Sequence, residues 1–551
     1  MNVAPGRNPR PPTLVDFPES RSPGVPESRS PGVPESRGAG AGRREAWLTF
    51  PVERTLLTVV RTTATLNRLL DVLSLTAPDR RIQTVFALDA GRPAVLGAGA
   101  PTFLASLGGT VLTWPEALRS RADLVLAASE NDDLDAFDGP VLVVPHGAGQ
   151  QKFYPGTSTV SGLDPGRAAR ATFALADAEQ AARLARVRPH AAAHVVGDPA
   201  LGRMIASSHR AGRYRRRLDD RGRRIVVLAS TWGPDSLLGQ WPDLPQRLAA
   251  DLPHDEYRLV IVLHPGAWAK HSAWQIRAWL ANSGARLVPP EEGWQAALLA
   301  AHCVLSDHGS LAVYAAALGR PLLLAPRPSA VTVPGSASAR LAERARRLEP
   351  RAPLREQIDT ATAPPVGDEA IGSPATTATR LRELMYALLR LPEPAYPAAF
   401  PLVPPPVPEA GSHPVLIAGA VAGTGEVAVR RFAAIDAGTG ADLAYRHVVA
   451  DLDEAALDAL GAAHVLLTRD ADEDEARRLL AEWPRAVLVA DAGRSGCRIW
   501  SRDDGVLLSA PDRVDPGVLA SYAYVCLRRD GALPRGGTLR VGDRLIPVVA
   551  G

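Results

Sequence analysis

Cysteine is nearly missing: the 551 residues hold three, Cys303, Cys497 and Cys526, far apart and in no pairwise motif. That argues against a disulfide framework or a cysteine-based metal site and points to the reducing cytoplasm. Long apolar runs are missing as well, and none approaches the ~20 residues that cross a bilayer. Neither sign of charge dominates: 62 basic and 59 acidic residues leave a formal +3. This gives no global case for nucleic-acid binding, and the pI near 8.9 only reflects a titration curve that is shallow close to neutrality. Lysine is down to two, Lys152 and Lys270, in a chain rich in alanine, arginine, glycine and proline, which reads as a coding bias. No signal-peptide pattern is expected at the N-terminus. Neither HExxH nor GxxxxGKS/T occurs, so metalloprotease and P-loop chemistry drop out.

What is present is a 46% apolar fraction, enough to fill several cores. The length suggests about two to four domains. Residues 1–44 carry an eight-residue repeat, Val25–Gly32 (VPESRSPG) and Val33–Gly40 (VPESRGAG), preceded by Phe17–Gly24. Such Pro/Ser/Gly-rich sequence has little apolar surface to offset ordering entropy, so a disordered tail is expected. From Trp47 to Leu75 the spacing of Leu56, Leu57, Val60, Leu66, Leu69 and Leu70 predicts a helical region with Arg54, Arg61 and Arg68 on its polar face.

From Ile82 the pattern alternates between apolar strands and short helices. Strands are predicted at Ile82–Leu88, Thr110–Leu112, Leu124–Ala127, Val141–Val144, Ala171–Leu175 and Ala193–Val196. Strands this apolar suit a parallel sheet covered on both faces, giving an α/β domain over 45–215. The arginine-rich run 210–224 reads as a solvated helix face, or as a surface for an anionic membrane or phosphate-rich polymer. A second series follows: Ile225–Ala229, Tyr257–Leu263, Arg286–Val288, Cys303–Leu305 and Leu322–Ala325. With a loop at 361–376 and a closing helix at Ala378–Leu391, it makes a second α/β domain over 216–391. Residues 392–412 read as a stiff Pro-rich linker. Residues 413–551 read as a small α+β domain of unassigned role, in which Ser521–Leu527 is expected as strand. Its acidic cluster at 470–475 lacks calcium-loop spacing and suits a helix N-terminus.

Open α/β sheets place ligands beyond the carboxyl ends of their strands, and polar sites fall at these ends. Pro145–Lys152 (PHGAGQQK) offers His146 as a base with a pKa near working pH, Gly147 to leave room, and Lys152 for a phosphate. Ser230–Pro234 (STWGP) offers Thr231 for phosphate oxygens and Trp232 for stacking, with Gly233 in the turn. His264-Pro265-Gly266 offers a histidine to neutralise phosphate charge or donate a proton. Ser306-Asp307-His308-Gly309-Ser310 enters a helix, with Ser306 or Ser310 as its cap and an amino-terminal dipole that attracts an anion. Gly197-Asp198-Pro199 also ends a strand near the junction of the domains; it reads as a turn, with Asp198 able to orient ligand. Each stretch also has an ordinary structural reading as a βα turn. Together they predict a cleft between two domains, with donor on one side and acceptor on the other.

Taken in order, HG…K at His146-Gly147…Lys152, GDP at Gly197–Pro199, STWG at Ser230–Gly233, HPG at His264–Gly266 and SDHGS…LGRP at Ser306–Pro321 resemble the CDP-glycerol glycerophosphotransferases of teichoic-acid synthesis. The resemblance covers roughly 120–330. It implies a GT-B-like pair of Rossmann-type domains, an acceptor-side half and a nucleotide-donor half, with the C-terminal module outside it. It also implies transfer of a polyol phosphate from a CDP-activated donor to an acceptor hydroxyl, at the cytoplasmic face of a membrane and with peripheral contact to it. No metal or cofactor is implied beyond the donor as substrate. His146 would be the base. His264 and Ser310 would face the donor phosphates, with Ser306 and Asp307 supporting the turn. In this chain four residues, Ala148–Gln151, separate Gly147 from Lys152, where the family has three. The alternatives are a GT-B nucleotide-sugar glycosyltransferase, an enzyme like the UDP-N-acetylglucosamine 2-epimerases, and a catalytically silent GT-B scaffold that binds partners through its termini.

Overall fold

The run Arg54–Val60 is a strand, not the start of a helix. Its residues from Leu56 to Val60 are buried, flanked in parallel by Ile82–Leu88 and Leu124–Ala127. A both-faces-covered strand reads as a continuous apolar run, which is why its spacing imitated a helix. The helix expected over 47–75 is confined to Thr63–Leu73, started by a reciprocal capping box between Thr62 and Thr65. Arg68 on this helix is buried and not on an outer polar face. The structure, a computed structural model, describes residues 49–89, 97, 99–154, 156–218, 222–365, 374–409, 416–423, 426–433, 444–493, 496–511 and 514–551. The tail 1–44 lies outside them.

Seven parallel strands form the first sheet, in order 3-2-1-4-5-6-7 along the chain; six form the second, in order 3-2-1-4-5-6. Helices cover both faces of each, and separate apolar clusters fill the two sides. This is a pair of doubly wound, Rossmann-type α/β sheets, GT-B-like as expected. The order reverses between the first and fourth strands of each sheet, and that is where such folds hold ligands. In the second sheet those strands are Arg224–Ser230 and Cys303–Ser306, so STWG and SDHGS both leave the sheet at its switch point.

The helix Thr377–Leu389, expected to close the second domain, packs into the first: Leu381, Met385, Tyr386 and Leu389 share a cluster with Leu56 and Leu66. The Pro-rich stretch after it is pinned across both domains: Arg203 donates to the Pro401 carbonyl, Val403 packs into a core cluster of the second, and Glu409 pairs with Leu287. Val403 is buried, its carbonyl accepts from the Tyr214 hydroxyl (2.7 Å), and its N–H donates to Ser207 Oγ (2.9 Å).

The C-terminal module is a closed barrel of nine strands with parallel and antiparallel neighbours. The expected strand Ser521–Leu527 is instead part of the helix Pro516–Asp530, buried on all sides from Gly517 to Cys526. A helix that is apolar all round shows no stripe, so periodicity does not identify it. Arg431 fixes the barrel to the second domain. Its buried guanidinium donates to Asp255 (2.9 Å) and to Asp515 (2.9 Å). No helix among the described residues is long and apolar enough to cross a membrane.

Candidate functional site

Between the carboxyl ends of the two sheets lies a cavity of about 590 Å3. His146, Gly147, Lys152, Thr231, Trp232, Gly233, His264, Gly266, Ser306, His308, Gly309 and Ser310 all line it. Asp307, Gly197 and Asp198 do not; they stand behind its walls.

The His146 loop follows the strand Val141–Val143. His146 Nδ1 lies 3.0 Å from the carbonyl oxygen of Ala128. A carbonyl only accepts, so Nδ1 carries the proton and Nε2 keeps its lone pair. The surrounding protein lowers the pKa of this histidine, and the positive charge of Lys152 lowers it further. The ring is therefore neutral near pH 7, with its basic nitrogen free.

His264 has the opposite tautomer. It caps the helix Pro265–His271 by accepting the N–H of Gly266 on Nδ1 at 2.9 Å. A neutral ring then carries its proton on Nε2. Burial, followed by the charges of Lys152 and His146, pushes its pKa down to about 3. His264 is thus a neutral hydrogen-bond donor, not the cation expected for charge neutralisation. Of the three histidines that line the cleft, His146 offers a lone pair for a proton and His264 offers an N–H.

Lys152 supplies the positive charge. Among the described residues its ammonium makes no hydrogen bond or ion pair, and burial lowers its pKa, with Asp307 partly opposing. An enclosed ammonium without a counter-charge is unfavourable until an anion arrives.

The loop 306–310 is built differently from its expected form. Asp307 is buried, and its Oδ2 accepts from Thr231 N (2.8 Å), Thr231 Oγ1 (3.0 Å) and Leu237 N (2.9 Å). Its Oδ1 accepts from Gly309 N (3.0 Å). Asp307 and Thr231 are therefore the clamp that shapes the switch-point loops, and the N–H and O–H of Thr231 are not left for phosphate. Neither Ser306 nor Ser310 caps the following helix, Ser310–Ala317; Gly309 is the N-cap. Ser310 Oγ instead accepts the amide of Ala148 across the cleft, at 2.9 Å. Ser310 and Leu311, in the first turn of this helix, line the same cavity as Lys152, so the helix's amino-terminal dipole suits an anion there.

Asp198 caps the helix Pro199–Ala206 and sits in a buried network. Arg68 donates to Asp198 Oδ1 (3.2 Å) and Oδ2 (2.9 Å), to the Tyr314 hydroxyl (3.0 Å) and to the Gly147 carbonyl (2.5 Å). Tyr314 in turn donates to Asp198 (2.9 Å). This network joins the first-domain helix, the His146 loop and the helix Ser310–Ala317. Sequence reading missed Arg68 and Tyr314. It also missed Gln150 and Glu130, which line the cavity too. The first-sheet switch point, Arg61–Thr62 and Ala128–Asn131, carries no glycine-rich signature that would have marked it.

Two carboxylates in the cavity wall, Glu130 and Asp71, are ion-paired, while a third, Asp235, accepts from Ser329 Oγ (3.3 Å). Glu130 receives Arg188 (2.8 Å) and the amide of Asp164 (2.8 Å). Asp71 receives Arg203 (2.6 Å) and Gln295 (3.2 Å).

No family model and no curated protein matches the chain. Among solved structures it is similar to the UDP-GlcNAc 2-epimerase of Methanocaldococcus jannaschii in complex with UDP-GlcNAc and UDP, at 12% identity over 60% of this chain and 99% of that one, TM-score 0.40. It is also similar to a variant of the wall teichoic acid polymerase TagF soaked with CDPG, at 9% identity over 61% and 89%, TM-score 0.38. A third is S. aureus MnaA with UDP, at 12% identity over 64% and 99%, TM-score 0.35. At such identities the likeness is one of fold.

Proposed function

We propose that the chain is a transferase that moves a polyol phosphate from a CDP-activated donor to an acceptor hydroxyl. One observation carries this reading: a neutral basic His146, a neutral N–H on His264 and an unpaired Lys152 line one cleft with the N-terminus of the helix Ser310–Ala317. Phosphoryl transfer needs positioning and charge stabilisation more than covalent catalysis, and these groups supply both. The donor's phosphates lie against Lys152 and the first-turn amides. The acceptor oxygen attacks the phosphorus that bears the polyol. The bond from that phosphorus to the CMP oxygen breaks, CMP departs with the electron pair, and His146 Nε2 takes the hydroxyl proton. His264 Nε2–H donates to a phosphate oxygen. The cytidine preference rests on the order of the five motifs.

Calorimetric titration with CDP-glycerol, CDP-ribitol, CTP and UDP-GlcNAc tests the donor. The cytidine ligands are expected to bind, and their failure to bind would reject the donor class. His146→Ala should leave donor affinity within about two-fold and slow transfer by about 100-fold or more. Donor binding without turnover on any hydroxyl acceptor would favour the silent scaffold.

A further inference from the structure

Behind the loop 306–310 lies a second cavity, of about 270 Å3. It is walled by the strap 327–334, by the helix Ala337–Arg344 and by Arg347. His308 and Asp235 line both this cavity and the main cleft. Two guanidinium groups face it without a carboxylate partner. Among the described residues the Arg327 side chain makes no hydrogen bond or ion pair. Arg347 donates only to the carbonyls of Ala325 (3.1 Å) and Ala342 (3.4 Å). Of the two carboxylates in the wall, Asp307 is saturated by its four donors and Asp235 accepts from Ser329 Oγ (3.3 Å). His308 Nδ1 is buried with no partner.

The geometry points to an anion subsite in this cavity, holding a phosphate group of the acceptor so that a neighbouring hydroxyl reaches past His308 toward His146. Guanidinium groups without a carboxylate partner favour an anion, and their planar donors suit phosphate. The volume is below the ~300–1,000 Å3 of sites for whole drug-sized ligands, so it suits a phosphate with a short polyol and not a nucleotide. The anion site stands on its own residues; its acceptor role rests on the transferase reading.

The test is calorimetric titration of the full chain with sn-glycerol 3-phosphate, alone and with saturating CDP, beside inorganic phosphate. Binding of glycerol 3-phosphate is expected to persist with CDP present and to weaken about 10-fold or more in Arg327→Gln and in Arg347→Gln. Arg327 is exposed, so its variant keeps the wild-type melting temperature and reads binding alone. Absence of binding, full competition by CDP, or unchanged affinity in Arg327→Gln would overturn the subsite. Equal affinity for inorganic phosphate would overturn its assignment to a polyol-bearing acceptor. If CDP does not bind the wild type, the donor reading fails, while Arg327-dependent binding of glycerol 3-phosphate still supports the anion site.

Discussion

Ser310 Oγ accepts the amide proton of Ala148 at 2.9 Å, tying the loop that carries His146 to the loop facing it. Gly147 lies between them at φ +63°, and a Cβ added there would overlap Ser310 Oγ. Gly147→Ala therefore combines left-handed strain with a steric overlap, and a loss of ~1–3 kcal/mol is expected in urea unfolding. Ser310→Ala removes the overlapping oxygen, so the double variant should recover part of the loss, a coupling visible in a double-mutant cycle. Strict additivity would show that the two loops do not press on one another.

The network behind that contact makes a stronger demand. Among the described residues Asp198 is the only carboxylate bonded to the buried Arg68, whose own protonation is held firmly against burial by this partner. Asp198→Ala leaves a buried guanidinium without its counter-charge, for an expected loss of ~3–5 kcal/mol. Tyr314→Phe removes one hydroxyl between the two and should lose ~1–3 kcal/mol. Chemical denaturation of both variants checks the order; a Tyr314→Phe loss larger than that of Asp198→Ala would contradict it.

The placement of polar turns after apolar runs was legible because an open sheet has to end its strands somewhere, and HG, STWG, HPG and SDHGS each follow such a run. Their gathering in one cleft followed from the βα alternation. Asp307 was legible as a polar residue, but not as an internal clamp, since nothing local tells a solvated carboxylate from one that accepts four donors. Arg68 and Tyr314 were hidden because their partners lie 130 and 116 positions away, at Asp198. The return of the helix Thr377–Leu389 to the first domain is a tertiary choice between two apolar surfaces. The helix Pro516–Asp530 was missed because complete burial erases its stripe.

The cleft's electrostatics fix the sign of a pH effect. His146 must be neutral to take a proton; its side chain opens onto the cleft, and desolvation by the surrounding walls and then Lys152 put its pKa below the usual 6.5. Turnover should rise with pH on the acid side and level off by about pH 7.5. Lys152→Met removes a positive charge that disfavours both imidazolium ions, so both histidines should titrate higher and the acid limb should move up in pH. The same variant should weaken donor binding by about 10-fold or more. The pH profile of kcat/KM in the two proteins checks this, and an acid limb moved downward would show that Lys152 does not act on the base.

In the barrel, His447 gives the second pH dependence. It is buried, stacks on Tyr524, and lies 2.9 Å from the Tyr445 carbonyl through Nδ1 and 3.0 Å from Ser521 Oγ through Nε2. Nδ1 donates to the carbonyl, so the neutral ring accepts the serine proton, and burial pushes its pKa down to about 4. In the unfolded chain the same group titrates near 6.5. Below that value the unfolded state binds a proton that the folded state refuses, so the stabilisation is complete above pH 6.5 and is lost as pH falls toward 4. Between pH 7 and pH 5 this single group should cost about 1–2 kcal/mol. Urea unfolding at the two pH values, in the wild type and in His447→Gln, isolates it: the variant is expected to be less stable at pH 7 but to lose less on acidification. An equal loss in both proteins would place the acid sensitivity elsewhere in the chain.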